Sequence, residues 1–91
     1  MTNTIKVTYE GKSPLEGTWF RGTVDGAPFE VLVHDKADED YNYQGGRVAT
    51  VVVGTPFKAG YTAFSRGFYD GGAPTGDLKA KFEAVANHFN A

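Results

Sequence analysis

Clusters of turn-forming residues recur along this chain: EGKSP (10–14), DGAP (25–28), TPFKAG (55–60) and YDGGAPTG (69–76). Glycine reaches left-handed conformations without steric cost, and proline cannot continue a hydrogen-bonded ladder, so each cluster ends the element before it. Twelve glycines in 91 residues therefore argue for short strands rather than a helical bundle. The runs between the clusters agree. Ile5, Val7 and Tyr9 alternate with Lys6 and Thr8, the pattern of a half-buried strand. GTWFRGTV (17–24) is a second β-rich run, and Asp25-Gly26 is a hairpin signal. FEVLVH (29–34) places Phe29, Val31 and Val33 on one face, and Leu32 argues that the other face is partly covered as well. RVATVVVG (47–54) is apolar on both faces, which makes it the central strand. YTAFSRGF (61–68) reads as the fifth strand.

The period then changes. Leu78, Phe82, Val85 and Phe89 fall at helical spacing and form one stripe. Thr75 or Asp77 is placed to cap the start of that helix. The expected fold is α+β: one domain over residues 1–91, a five-stranded antiparallel β-meander, and one C-terminal α-helix packed on the sheet.

Composition excludes several functions. Nine Lys and Arg against eleven Asp and Glu give a net charge of −2, without the basic excess of a direct nucleic-acid binder. The chain has no cysteine, so neither disulfides nor thiolate metal sites are available. MTNTIKVTYE lacks a basic region followed by an apolar run, so no signal peptide is expected. No stretch approaches the roughly 20 apolar residues of a membrane span. A cytoplasmic location is expected, without membrane association.

Catalytic patterns are absent. His34 and Asp35 are sequence neighbours, and on a strand neighbours point to opposite sides. His88 near the end of the helix suits the helix dipole. No serine lies in a nucleophile-elbow pattern. Asp35, Asp38, Asp40 and Asn42 resemble a calcium loop in spacing, yet counting from Asp38 the sixth residue is Tyr43 and the twelfth is Ala49, where such loops require Gly and Glu. No Walker or dinucleotide glycine pattern leads from a strand into a helix. The expectation is a protein that is not an enzyme, with no cofactor and no metal.

Arginine carries more information. The three arginines, Arg21, Arg47 and Arg66, lie in or beside expected strands and next to glycine or an aromatic residue, whereas lysines are spread over turns and the helix. The guanidinium fork suits phosphates and carboxylates, and its plane stacks on rings. Glycine beside it lets a ligand come close to the backbone. YNYQGGR (41–47) holds more polar and aromatic groups than a minimal turn requires.

The segments WFRGTVDGAPF, NYQGGRVA and SRGFYD resemble a short, functionally uncharacterised domain of phages and prophages with GTVDG, GGRV and RGF/W motifs. The resemblance spans roughly residues 17–89 and places Trp19, Asn42, Gly45, Gly46, Arg47, Arg66, Gly67, Phe68 and Asp70 on its motif positions. Phe68 stands where that family usually has Trp, and the polar loop before NYQGG is longer. The resemblance implies a phage setting, host cytoplasm as the location, and a counter-defence role.

Three functional expectations follow. In the first, the chain sequesters a nucleotide-like signalling molecule without cleaving it. Arg47 and Arg66 hold phosphates, Asn42 or Gln44 reads a polar edge, and Trp19, Tyr43 or Phe68 stacks on the base. Asp70 is counted among the ligand-binding residues. Such a site would fall between subunits, so a homo-oligomer is expected. In the second, an anti-CRISPR-like inhibitor docks a host defence protein through the acidic loop formed by Asp35, Asp38, Glu39, Asp40 and Tyr41. A self-associating accessory phage protein is the third possibility.

Overall fold

The computed structural model describes residues 4–14, 17–40, 42–55, 60–65, 68–70 and 73–90. Among the described residues six strands, β1 (Ile5–Lys12), β2 (Thr18–Val24), β3 (Ala27–Val33), β4 (Val48–Val53), β5 (Thr62–Ser65) and β6 (Phe68–Asp70), precede the helix α1 (Gly76–Phe89). The strands form a single sheet in chain order, and every neighbouring pair is antiparallel. At every join but the one from β3 to β4, where residues 34–47 intervene, the link is too short for anything else, because parallel neighbours need a crossover of about a dozen residues or more. Only Asp25 and Gly26 stand between β2 and β3, and both have positive φ, 49° and 84°. That conformation matches the right-handed twist of a hairpin. Asp25 also anchors the start of β1: Thr4 N–H donates to Asp25 Oδ1 at 2.7 Å, and Asp25 N–H donates to Thr4 O at 2.8 Å.

The antiparallel meander and the C-terminal helix match the sequence reading, but the sheet has six strands, not five. The run 61–68, read above as one strand, contains all of β5 and the start of β6: Ser65 pairs with Phe68, and Phe64 with Tyr69. Aromatic residues favour strands on both sides of that reversal, so strand propensity does not register it. A second correction concerns β1. A register shift between Val7 and Tyr9 sends Ile5 and Val7 to one face and Tyr9 to the other, which ends the simple alternation expected there.

Helix α1 covers one face of the sheet, chiefly over β4. Val24, Val31, Val51 and Val53 from the sheet meet Phe82, Val85 and Ala86 from the helix, all fully buried. Leu78 and Phe89, the ends of the expected stripe, pack at the border of this core. Phe89 lies 4.8 Å from the Phe20 ring and 5.9 Å from Phe29, measured between centroids. Thr75 occupies the N-cap position without a side-chain capping bond, Asp77 lies in the first turn and His88 in the last, as the helix dipole favours. Among the described residues no helix is long and apolar enough to cross a membrane.

Candidate functional site

The loop between β3 and β4 pairs many of its backbone groups internally. Asp38 N–H donates to Gly46 O at 3.0 Å, Asn42 N–H to Asp38 O at 3.1 Å, and Gly46 N–H to Tyr43 O at 3.0 Å. The Asn42 side chain adds a bond from Nδ2 to Gly46 O at 3.0 Å. Asn90, directly after α1, fastens the loop to the helix. Its Oδ1 accepts from Arg47 N–H at 3.0 Å, and its Nδ2 donates to Tyr43 O at 3.4 Å. Gly46 makes room for this latch, because a Cβ there would collide with Asn90 Oδ1. His34 N–H donates to Arg47 O at 2.7 Å, so the Arg47 backbone is held from both sides.

This arrangement relocates two residues expected to face a ligand. Tyr43 is only 6% exposed. Its ring meets Phe64 at 5.8 Å and Phe82 at 5.6 Å, both edge to face. It belongs to the core and offers no stacking surface. Burial pushes the Tyr43 hydroxyl above the usual tyrosine pKa, and the negative charges of Glu83 and, less so, Tyr69 add to the shift. Asn42 is also 6% exposed, and its Oδ1 has no partner among the described residues. A Tyr among amides and glycines resembles a surface turn in sequence, and the packing of Phe64 and of Phe82 on α1 is what buries Tyr43.

The remaining site residues are dispersed. Trp19 on β2 and Phe68 on β6 share the face opposite the helix but stand four strand spacings apart, roughly 19 Å. Arg47 is exposed at the loop end. Asp70 is set by register opposite Ala63. Tyr41, Arg66 and Gly67 lie outside the described residues. Asp35, Glu39 and Asp40 are exposed and Asp38 is half-buried. Asp38 Oδ1 accepts from Asp40 N–H at 2.9 Å. No three His, Cys, Asp or Glu side chains converge as metal ligands among the described residues.

Strand alternation ordinarily makes the sheet face away from the helix polar. Register sets two rows across it. One runs Trp19, Leu32, Thr50, Ser65, Phe68, and the next runs Tyr9, Arg21, Glu30, Val52, Ala63, Asp70. Trp19, Leu32 and Val52 are half-buried without a covering layer among the described residues, and Phe68 is 76% exposed. The charges at one end compensate each other. Arg21 Nε lies 2.7 Å from Glu30 Oε2, and the Arg21 guanidinium stands 5.2 Å from the centre of the Tyr9 ring. The Thr50 and Ser65 hydroxyls bond to each other at 3.3 Å. Two open troughs meet at Val52, one of about 410 Å³ beside Arg21, Pro28 and Glu30, and one of about 370 Å³ beside Thr50, Ala63 and Phe68. The sequence signal for this face was present in Leu32 and Val52, apolar residues on the wrong side of β3 and β4.

Comparison with family models, characterised proteins and solved structures finds no match.

Proposed function

We propose that this chain is a small, non-enzymatic binding protein whose working surface is the open sheet face and whose partner is a protein with an apolar patch. One observation carries the reading: the face without a helix holds Trp19, Leu32, Val52 and Phe68 where an uncovered antiparallel sheet ordinarily carries polar side chains. Aromatic anchors inside a polar border are the usual composition of an interface core. In the phage setting that the GGRV and RGF motifs imply, the partner is a host defence protein met in the host cytoplasm, and the role is counter-defence.

A nucleotide ligand is the second reading, favoured by the exposed Arg47 and by the open aromatic surface of Phe68. It is weaker in a single chain. Phosphates require cations in reach, and on the open face Arg21 is already engaged by Glu30. The third expectation, self-association alone, uses the same face.

Trp19 is the single tryptophan and lies on the proposed surface, so its emission tests the choice. Titration with a panel of cyclic dinucleotides is expected to leave it unchanged, and a saturable shift would favour the nucleotide reading. In parallel, immobilised wild type, Val52→Asp and a triple variant Asp38→Lys, Glu39→Lys, Asp40→Lys are compared for capture of a host protein. The face variant is expected to weaken capture about a hundredfold, because a carboxylate is left unpaired inside an apolar contact. The loop variant retains it. The opposite pattern would return the function to the acidic loop.

A further inference from the structure

We infer that the open face is self-complementary, and that its resting occupant is a second copy of this chain packed sheet on sheet. The inference rests on the open face being the working surface, and it names what covers that face before any other partner arrives.

Three observations converge. The first is extent. Six strands about 4.8 Å apart, with rows that cross the whole sheet, give a face on the order of 500 Å² in projection. Side chains standing from it raise the accessible area toward the roughly 800 Å² per partner of a stable interface. The second is symmetry. A two-fold axis along β4 leaves each row opposite itself and exchanges its ends. Trp19 at one end then faces Phe68 of the second copy at the other, and Thr50 and Val52 face their own counterparts. The third is charge. Arg21 and Glu30 pair within each copy, and the residues brought together on the axis, Thr50 and Val52, carry no charge, so no like-charged pair is opposed there. Aligned sheets pack in this way at about −30° and about 10 Å. The single chain separates Trp19 from Phe68 by four strand spacings, and the pairing brings them together.

The absence of cysteine allows a direct test. Thr50→Cys, on the axis, is compared with Val7→Cys at the β1 edge and with Asn87→Cys, exposed on the helix. A thiol-to-thiol reagent spanning about 8 Å is used, because sheets about 10 Å apart exceed the roughly 7 Å that a direct disulfide tolerates between Cα atoms. Sedimentation of the wild-type chain is expected to show a dimer at roughly 100 µM, with blue-shifted Trp19 emission that moves red on dilution. Thr50→Cys is expected to cross-link efficiently, and Val7→Cys and Asn87→Cys are not. Val52→Glu, which sets two carboxylates face to face, is expected to weaken the dimer more than about a hundredfold while its circular dichroism stays that of the wild type. Should Val52→Glu unfold, Ser65→Glu supplies the same charge nearer the sheet edge. A wild-type chain that stays monomeric overturns the inference, as does a dimer that cross-links through Val7 and not Thr50. Neither result touches the proposal of a protein partner on the open face, which fails only if the face variants capture that partner as the wild type does.

Discussion

Asn90 connects the end of α1 to the β3–β4 loop through two backbone groups, Arg47 N–H and Tyr43 O. Removing it leaves both without that partner, so Asn90→Ala is expected to lower stability by about 1 kcal/mol in urea unfolding. Asn90→Asp keeps an oxygen for Arg47 N–H and loses only the longer bond, so it should recover most of the difference. Tyr43 yields a prediction in pH. Its folded pKa is raised, mainly by burial, so the unfolded chain releases the proton first. The stabilising contribution is complete below the ordinary tyrosine value of about 10 and disappears as pH rises through the folded value. Urea midpoints taken from pH 8 upward are expected to fall more steeply for the wild type than for Tyr43→Phe, and parallel curves would show that the hydroxyl is not desolvated. Neither role was legible in YNYQGGR. Its residue types announce more than a turn, but the direction in which they face depends on an element more than thirty residues later in the chain.

At the level of elements, composition and periodicity were the reliable guides. β-rich composition between turn clusters located β2 and β4, alternation located β3, and the helical stripe located α1, because burial on one face selects residues at that spacing whatever the sequence elsewhere. What periodicity does not mark is a change of direction inside a continuous β-rich run. That is why β5 and β6 merge in the sequence, and why alternation alone sets Tyr9 on the wrong side of the register shift in β1. The two faces of the sheet should therefore respond differently to substitution. Phe82 is 1% exposed in the centre of the aromatic cluster, and Phe82→Ala is expected to cost about 3–5 kcal/mol. Phe68, 76% exposed on the open face, should tolerate serine within about 0.5 kcal/mol of monomer stability. The functional consequence of these two changes is expected to be the reverse, with Phe68→Ser retaining the fold and losing the partner. Chemical denaturation of each variant in the monomeric range separates these effects. A large stability loss at Phe68 would mean that the open face is part of the core.

For the whole molecule, the question is whether sheet and helix are one cooperative unit. A 14-residue helix is marginal alone in water. The buried face of the sheet has no cover among the described residues other than α1 and the Tyr43 loop latched to it by Asn90. Each layer thus removes the other's apolar surface from water. Unfolding is expected to be two-state, with three probes coinciding: circular dichroism at 222 nm for α1, near-ultraviolet signals from the Tyr43–Phe82 cluster, and emission from Trp19 on the opposite face. Trp19 is the demanding probe, because the sheet itself stands between it and the helix. A Trp19 transition at higher denaturant than the helix signal would mean that β1 to β3 persist as a separate hairpin unit. Coincidence would mean that loss of the helix face removes the scaffold that presents the open face. Destabilising Asn90 or Phe82 would then weaken binding in proportion to the fraction unfolded, although neither residue lies on the face that meets the partner.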